Sequence, residues 1–308
     1  KFPHAQYYIF YGLRSNGKTH AACEKILTTH INSGYKTQGA IVRRWDVDFK
    51  GKRAASYFDS LVHDGNGVNK VKKYTQGKYD RVAYQSGRWY LAYWDDELNK
   101  MITAPDPFCF AFALTNMEHE KGNSYPGLHN GFIFFDEFMT RGMYLPNNEF
   151  VTFMQMISTL VRGDNTIKIL MAANTVDMIG CPYFKEMGLT HVKNMKQGDT
   201  ELYSYGNSKL QVAVHFCDAP LEGKPSDVYF AFDNPRLKLI TTGDAEFDIY
   251  PHMTETVSPA DVVFTYFIIY DDVTMQCNVV NKDNETFTFI HRKTTELKHE
   301  DRDRKSVV

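Results

Sequence analysis

Gly12-Leu-Arg-Ser-Asn-Gly17-Lys18-Thr19 has the residue types and spacing of a loop that wraps phosphate. Glycine lets backbone N–H groups approach anionic oxygens closely, and a helix starting just after the loop adds the positive end of its dipole. In such a loop Lys18 reaches the β- and γ-phosphates of ATP, and the Thr19 hydroxyl holds Mg2+. Gly12, Ser15, Asn16 and Gly17 complete the expected cradle. Arg14 has two open readings, a phosphate contact or a solvent-facing side chain.

The pattern is short, so its context decides. It needs a strand before it and a helix after it. Tyr7–Tyr11 is an apolar, aromatic run that reads as a buried strand. After Lys18, the residues Ala22, Ile26, Leu27 and Ile31 recur at helical spacing, with Gly34 placed to end the helix.

A nucleotide hydrolase also needs carboxylates. Gly131–Phe135 is almost continuously apolar, as in a strand buried on both faces of a parallel sheet, and Asp136 and Glu137 follow at its C-terminal end. Asp136 is the candidate metal carboxylate, and Glu137 the candidate base for the attacking water. A second apolar run, Thr166–Thr175, carries Asn174 near its end. Asn174 reads either as a sensor of the γ-phosphate or as an Asn closing a strand-to-loop turn.

Between these strands Phe150, Phe153, Met154, Ile157 and Val161 form a helical stripe that reads as core. That helix ends at Arg162 and Gly163. Arg162 is a dipole partner at a helix C-terminus, and a place from which a ring ATPase can reach a neighbour's γ-phosphate.

Such side chains need a scaffold. Strand, loop, helix, the strand "GAIVRRW" (Gly39–Trp45), an insertion, the acidic strand, a helix and the Asn-ended strand alternate along the chain. This order predicts an α/β fold, a P-loop (ASCE-type) parallel sheet with helices on both faces. The boundaries expected are residues 1–218 for this domain, with an antiparallel insertion near 50–105, then a linker region over 219–250. A small β-rich domain follows over 251–308, complete or cut before its end.

The insertion holds Lys70, Lys72, Lys73 and Lys78 close to Tyr74 and Tyr79. They are candidate DNA phosphate contacts, or a solvated basic edge. Asp271-Asp272 near the C-terminus reads as a hairpin turn rather than a nuclease centre.

Composition narrows the classes. The 308 residues carry a net charge of −2, so nucleic-acid contact must come from a local patch. Hydrophobic content of 43%, with 22 Phe and 19 Tyr, argues against extensive disorder. The five cysteines (Cys23, Cys109, Cys181, Cys217 and Cys277) are scattered and read as reduced thiols. No apolar run reaches membrane-spanning length, so no membrane partner is expected.

The segments "GLRSNGKT", "IVRRW", "EKGNSYPGLHNGFIFFDEF", "YLPNNEFVTFMQMISTLVR" and "ANTVDMIGCPYF" resemble the DNA-encapsidation ATPases of phi29-like tailed phages, over about residues 5–190. The C-terminal part resembles that family in strand pattern only. The resemblance implies an ATP- and Mg2+-dependent motor that moves double-stranded DNA. It implies a ring of identical subunits, a pentamer, docked on the portal of a phage procapsid in the host cytoplasm. It implies that Arg162 acts in trans on a neighbour's nucleotide, and it makes Lys121 and Arg43 candidates for a role across that interface or behind the nucleotide's direct contacts. It implies an RNase H-like C-terminal domain without nuclease activity. Some relatives use a packaging RNA, and nothing in the sequence speaks to that partner. Where the family is richer in arginine after the finger position, this chain has "RGDN", leaving Arg162 alone. The competing readings are a helicase-like nucleic-acid translocase, a nuclease-motor terminase, and a nucleotide-binding switch that does not turn over.

Overall fold

The computed structural model describes residues 2–13, 16–120, 122–140, 144–146, 148–175, 181–218, 258–270, 273–282 and 285–293. The chain divides into two compact units, Lys1–Gly243 and Asp244–Val308.

The first unit is built on one ten-stranded, mostly parallel sheet. Its strands are β1 (Tyr7–Gly12), β2 (Gly39–Arg43), β3 (Arg81–Gln85), β4 (Arg88–Asp95), β5 (Lys100–Thr103), β6 (Cys109–Ala113), β7 (Phe132–Asp136), β8 (Lys168–Asn174), β9 (Thr200–Ser204) and β10 (Gln211–Phe216). The order is β3-β4-β6-β2-β7-β8-β1-β10-β9, with β5 paired to β4. The six strands from β6 to β10 run parallel; β3, β4, β5 and β9 attach antiparallel. Strand β8 therefore lies between the glycine-loop strand and the acidic strand.

Among the described residues, seven α-helical segments accompany the sheet: α1 (Lys18–Asn32), α2 (Gly51–Ala55), α3 (Asp59–Val62), α4 (Lys70–Tyr74), α5 (Met117–Glu120), α6 (Glu149–Val161) and α7 (Pro182–Glu186). Helices cover both sheet faces, and neighbouring residues of β7 show why. Phe134 joins the core beneath α1, with Ile26, Leu27, Ile41 and Leu170. Phe135 points the other way and packs on Phe153 of α6, with ring centres 4.7 Å apart. Alternation along a strand sends successive side chains to opposite faces, and apolar residues at both positions require a cover on each.

The insertion differs from expectation in its first half. Residues 46–74 form short helical turns, including α2, α3 and α4, and only Arg81–Thr103 forms the antiparallel meander. Single turns of five residues show no hydrophobic period, so the pattern carries no signal for them. The insertion also belongs to the main core: Phe58 packs on Trp89 and Phe108, at 5.4 and 4.9 Å, and Trp89 Nε1 donates to Ala54 O at 2.8 Å. Strand β2 stops at Arg43, two residues before the expected Trp45. In α6 the buried set is Glu149, Phe153, Met156, Ile157 and Leu160; the expected Phe150, Met154 and Val161 are half-buried.

In the second unit, β11 (Val262–Tyr270), β12 (Val273–Lys282) and β13 (Glu285–Arg292) form an antiparallel sheet in the order β11-β12-β13. Cys277 and Val280 of the central strand are buried. Asp271 and Asp272, the 219–250 region and the last residues from 294 lie outside the described residues.

Candidate nucleotide site

The parallel strands end together. Gly12 pairs with Asn174, Asp136 with Ala172, and Val42 with Phe135, so Arg43 and Asp136 close adjacent strands side by side. The C-terminal edge of an open α/β sheet is where ligands bind, and the candidate residues of three separate segments meet there.

Gly12 leaves β1 with φ +153°, and a Cβ on it would stand 3.1 Å from Cys217 Cβ and 3.2 Å from Asn16 Nδ2. The positive φ favours glycine there, and the space beside it is tight. Gly17 precedes α1 in the left-handed region, φ +76°. Lys18 Nζ turns back into the loop: it donates to Leu13 O and Asn16 Oδ1 at 2.6 Å, and to Gly12 O and Asn174 Oδ1 at 3.3 Å. Burial pulls the Lys18 ammonium down to about 8, opposed by Cys217 and Asp136. Asn174 thus meets the loop lysine across the sheet edge. Arg14 and Ser15 lie outside the described residues.

Asp136 is 5% exposed. Its Oδ1 accepts from Thr19 Oγ1 at 3.1 Å. Its Oδ2 accepts from Tyr57 at 2.5 Å and from Arg43 at 3.1 Å. Arg43 also pairs with Glu137 at 2.9 Å. Burial opposes the charge on Arg43, but Asp136, Tyr57 and Glu137 outweigh it and raise its pKa. Arg43 therefore bridges both carboxylates within the chain.

Glu137 keeps 61% of its side chain exposed and adopts φ +58°, an unusual conformation for a non-glycine residue. Arg44 holds that backbone in place. Its guanidinium donates to the carbonyls of Glu137 and Phe138, at 3.1 and 3.0 Å, and makes a two-pronged pair with Glu149 at 2.6 and 2.7 Å. Glu149 also accepts from Tyr183 Oη and Leu145 N, each at 2.7 Å. Arg44, Glu149, Tyr183 and Tyr57 were not legible as site residues. "VRRW" offers adjacent arginines, and only the fold shows which guanidinium serves the carboxylates and which the backbone behind them.

Three buried side-chain polar atoms among the described residues have no hydrogen-bond partner: Asn16 Nδ2, Arg43 Nε and Thr175 Oγ1. All three sit at this edge, since Thr175 N donates to Gly12 O at 3.0 Å. Unsatisfied buried polar groups are costly, and their clustering at a lysine-bearing loop marks a place for polar ligand atoms. Thr19 Oγ1 beside Asp136 Oδ1 supplies hard oxygen donors of the kind Mg2+ takes, so the residues fit that ion. A cavity of about 610 Å3 adjoins the loop at Asn16, Gly17 and Lys18, floored by Tyr8, Phe10 and Leu170. Its size is that of a small-molecule site.

The remaining candidates lie elsewhere. Arg162 is exposed, caps α6 at φ +46°, and donates to Asn123 O. Lys121 lies outside the described residues. The four insertion lysines differ in their partners. Lys70 is tied to Glu24 and His20, each at 2.8 Å, and Lys78 lies over the rings of Tyr35 and Tyr79. Lys72 and Lys73 line an open cleft with Asn69 and Asp80. No helix among the described residues is long and apolar enough to cross a membrane.

Fold and site together describe an α/β protein with a glycine-bearing loop beside paired carboxylates. Solved structures similar to this chain are of viral packaging ATPases. The N-terminal domain of the DNA packaging ATPase from bacteriophage phi29 matches at 19% identity, over 70% of this chain and 91% of that one, with a TM-score of 0.49. The Phi-28 DNA packaging motor matches at 15% identity, over 94% and 77%, with a TM-score of 0.48. The large terminase ATPase domain of a Thermus phage matches at 17% identity, over 70% and 76%, with a TM-score of 0.38. No family profile matches the sequence, and no curated protein does.

Proposed function

We propose that this chain is an ATP-hydrolysing motor subunit that moves double-stranded DNA into a phage procapsid. The observation that carries the ATPase reading is the convergence at one sheet edge: the glycine loop, Lys18, the Thr19–Asp136 pair at 3.1 Å, Glu137, and the three partnerless buried polar atoms.

In this reading the loop N–H groups and Lys18 bind the phosphates, and phosphate oxygens replace the loop carbonyls that Lys18 now contacts. Thr19 and Asp136 hold Mg2+, which neutralises charge on the phosphate oxygens when bound. Glu137 accepts a proton from the attacking water, and Asn174 contacts the γ-phosphate beside Lys18. Arg162, exposed at the end of α6, completes the site of a neighbouring subunit in a ring. Lys72 and Lys73 remain the insertion's candidates for DNA phosphates, with portal, procapsid and any packaging RNA as partners of the assembled ring. The C-terminal unit, in this reading, is the RNase H-like domain.

The test is steady-state ATP hydrolysis, with and without double-stranded DNA, beside Glu137→Gln. The variant is expected to bind ATP and to lose at least about 100-fold in turnover, the size of a missing general base. Undiminished turnover in Glu137→Gln would sink the ATPase mechanism. DNA stimulation that needs neither portal nor procapsid would favour a helicase-like translocase.

A further inference from the structure

Asp136 uses both carboxylate oxygens, and they face different elements. Oδ1 meets Thr19 at the start of α1, while Oδ2 accepts from Arg43 and from Tyr57. Tyr57 comes from a 3-10 turn, Ser56–Phe58, in the helical half of the insertion. Nothing in the loop-and-carboxylate motifs announces it.

The tyrosine is held firmly. Its ring packs against Trp89 and Phe58, at 5.7 and 5.9 Å, and the Arg43 guanidinium lies 5.9 Å from its centre. Phe58 and Trp89 are fully buried. A phenylalanine would satisfy that packing equally well. What the hydroxyl adds is one donor, 2.5 Å from a carboxylate that is itself 5% exposed. With Arg43 and Tyr57 both on Oδ2, the carboxylate cannot rotate freely, and Oδ1 stays beside the Thr19 hydroxyl.

We infer that Tyr57 is a positioning residue for the divalent cation: its hydroxyl fixes the Asp136 carboxylate so that Oδ1 and Thr19 Oγ1 are presented together. This rests on the nucleotide-site reading above. It also gives the insertion a direct connection to the site, because Tyr57 is the one insertion side chain with a hydrogen bond to Asp136 among the described residues. Hydrogen-bond partners behind metal-ligating carboxylates typically change metal affinity by about 10–100-fold when removed. Arg43 remains on Oδ2 in a Tyr57 variant, which points to the lower end.

The test uses the full chain, Mn2+ as the probe, and Tyr57→Phe. Free Mn2+ is followed by electron paramagnetic resonance in the presence of ATP, and ATP affinity is measured separately in chelator. The expected result is about a 10-fold higher Mn2+ concentration at half-saturation, with melting temperature and chelator-state ATP affinity unchanged. Unchanged Mn2+ half-saturation overturns the inference and leaves the nucleotide site standing. Loss of ATP affinity in chelator to the same degree overturns it too, because the hydroxyl would then be structural. If the unsubstituted protein binds ATP without any dependence on Mn2+, the reading of the site itself fails.

Discussion

Glu149 has no exposed side-chain surface, and its partner Arg44 has 7%. The carboxylate accepts four hydrogen bonds, two from Arg44 and one each from Tyr183 and Leu145. Glu149→Ala would strand the Arg44 charge on two backbone carbonyls and leave the Tyr183 hydroxyl and the Leu145 N–H without an acceptor. Removing one partner of a buried ion pair costs about 3–5 kcal/mol. For a unit of this size that is about 6–20 °C in melting temperature. Urea unfolding of the full chain, followed by tryptophan fluorescence, reads the loss directly. A variant within about 1 kcal/mol of the parent would refute the argument, because the pair would then be solvated well enough to need no compensation.

The same cluster separates stability from catalysis. Replacing both partners with apolar residues of similar volume, Arg44→Met with Glu149→Leu, is expected to recover much of the stability, since neither charge is left buried. It does not restore the bonds from Arg44 to the Glu137 and Phe138 carbonyls. Glu137 sits at φ +58°, a conformation costing about 1–2 kcal/mol. Released from Arg44, its backbone is expected to relax and turnover to fall, with ATP affinity retained. A double variant as active as the parent would show that Arg44 serves stability alone.

Three further outcomes are expected. Arg162 is an exposed residue held at φ +46°, so Arg162→Gly should raise thermal stability by up to about 1 kcal/mol while abolishing ring-dependent hydrolysis; a stability loss in a denaturation series would refute the strain argument. Burial holds Lys18 near 8, below its unfolded value, so the folded state is disfavoured at low pH and gains stability as pH rises above about 8; a bound phosphate should raise the ammonium again, and calorimetry in buffers of different ionisation enthalpy should show proton uptake on ATP binding around pH 8, absent in Lys18→Met. Gly12→Ala should lose both ATP binding and stability, because its Cβ would meet Cys217 and Asn16 at 3.1–3.2 Å; normal ATP affinity in a binding titration would show that the loop can shift.

What the sequence disclosed and what it withheld follow from how far apart the interacting residues lie. The glycine loop, its strand and its helix are contiguous, so local chemistry and apolar spacing placed them within a residue or two of their observed bounds. The acidic and Asn-ended strands were legible for a related reason: a strand buried on both faces writes itself as an unbroken apolar run. Arg44 and Glu149 are 105 positions apart, and Tyr57 and Asp136 are 79 apart. No periodicity links such pairs; the sheet order joins them by placing β2 beside β7. Glu149 was hidden further by type, because a glutamate at the start of a helix reads as a solvent-facing dipole partner, whereas here it is buried against Arg44 and Tyr183. The place of β10, parallel to β1 on the side away from β8, needed the three-dimensional register. The site's residue types were therefore present in local motifs, while the groups that hold them in position, Arg44, Glu149 and Tyr57, belong to tertiary structure.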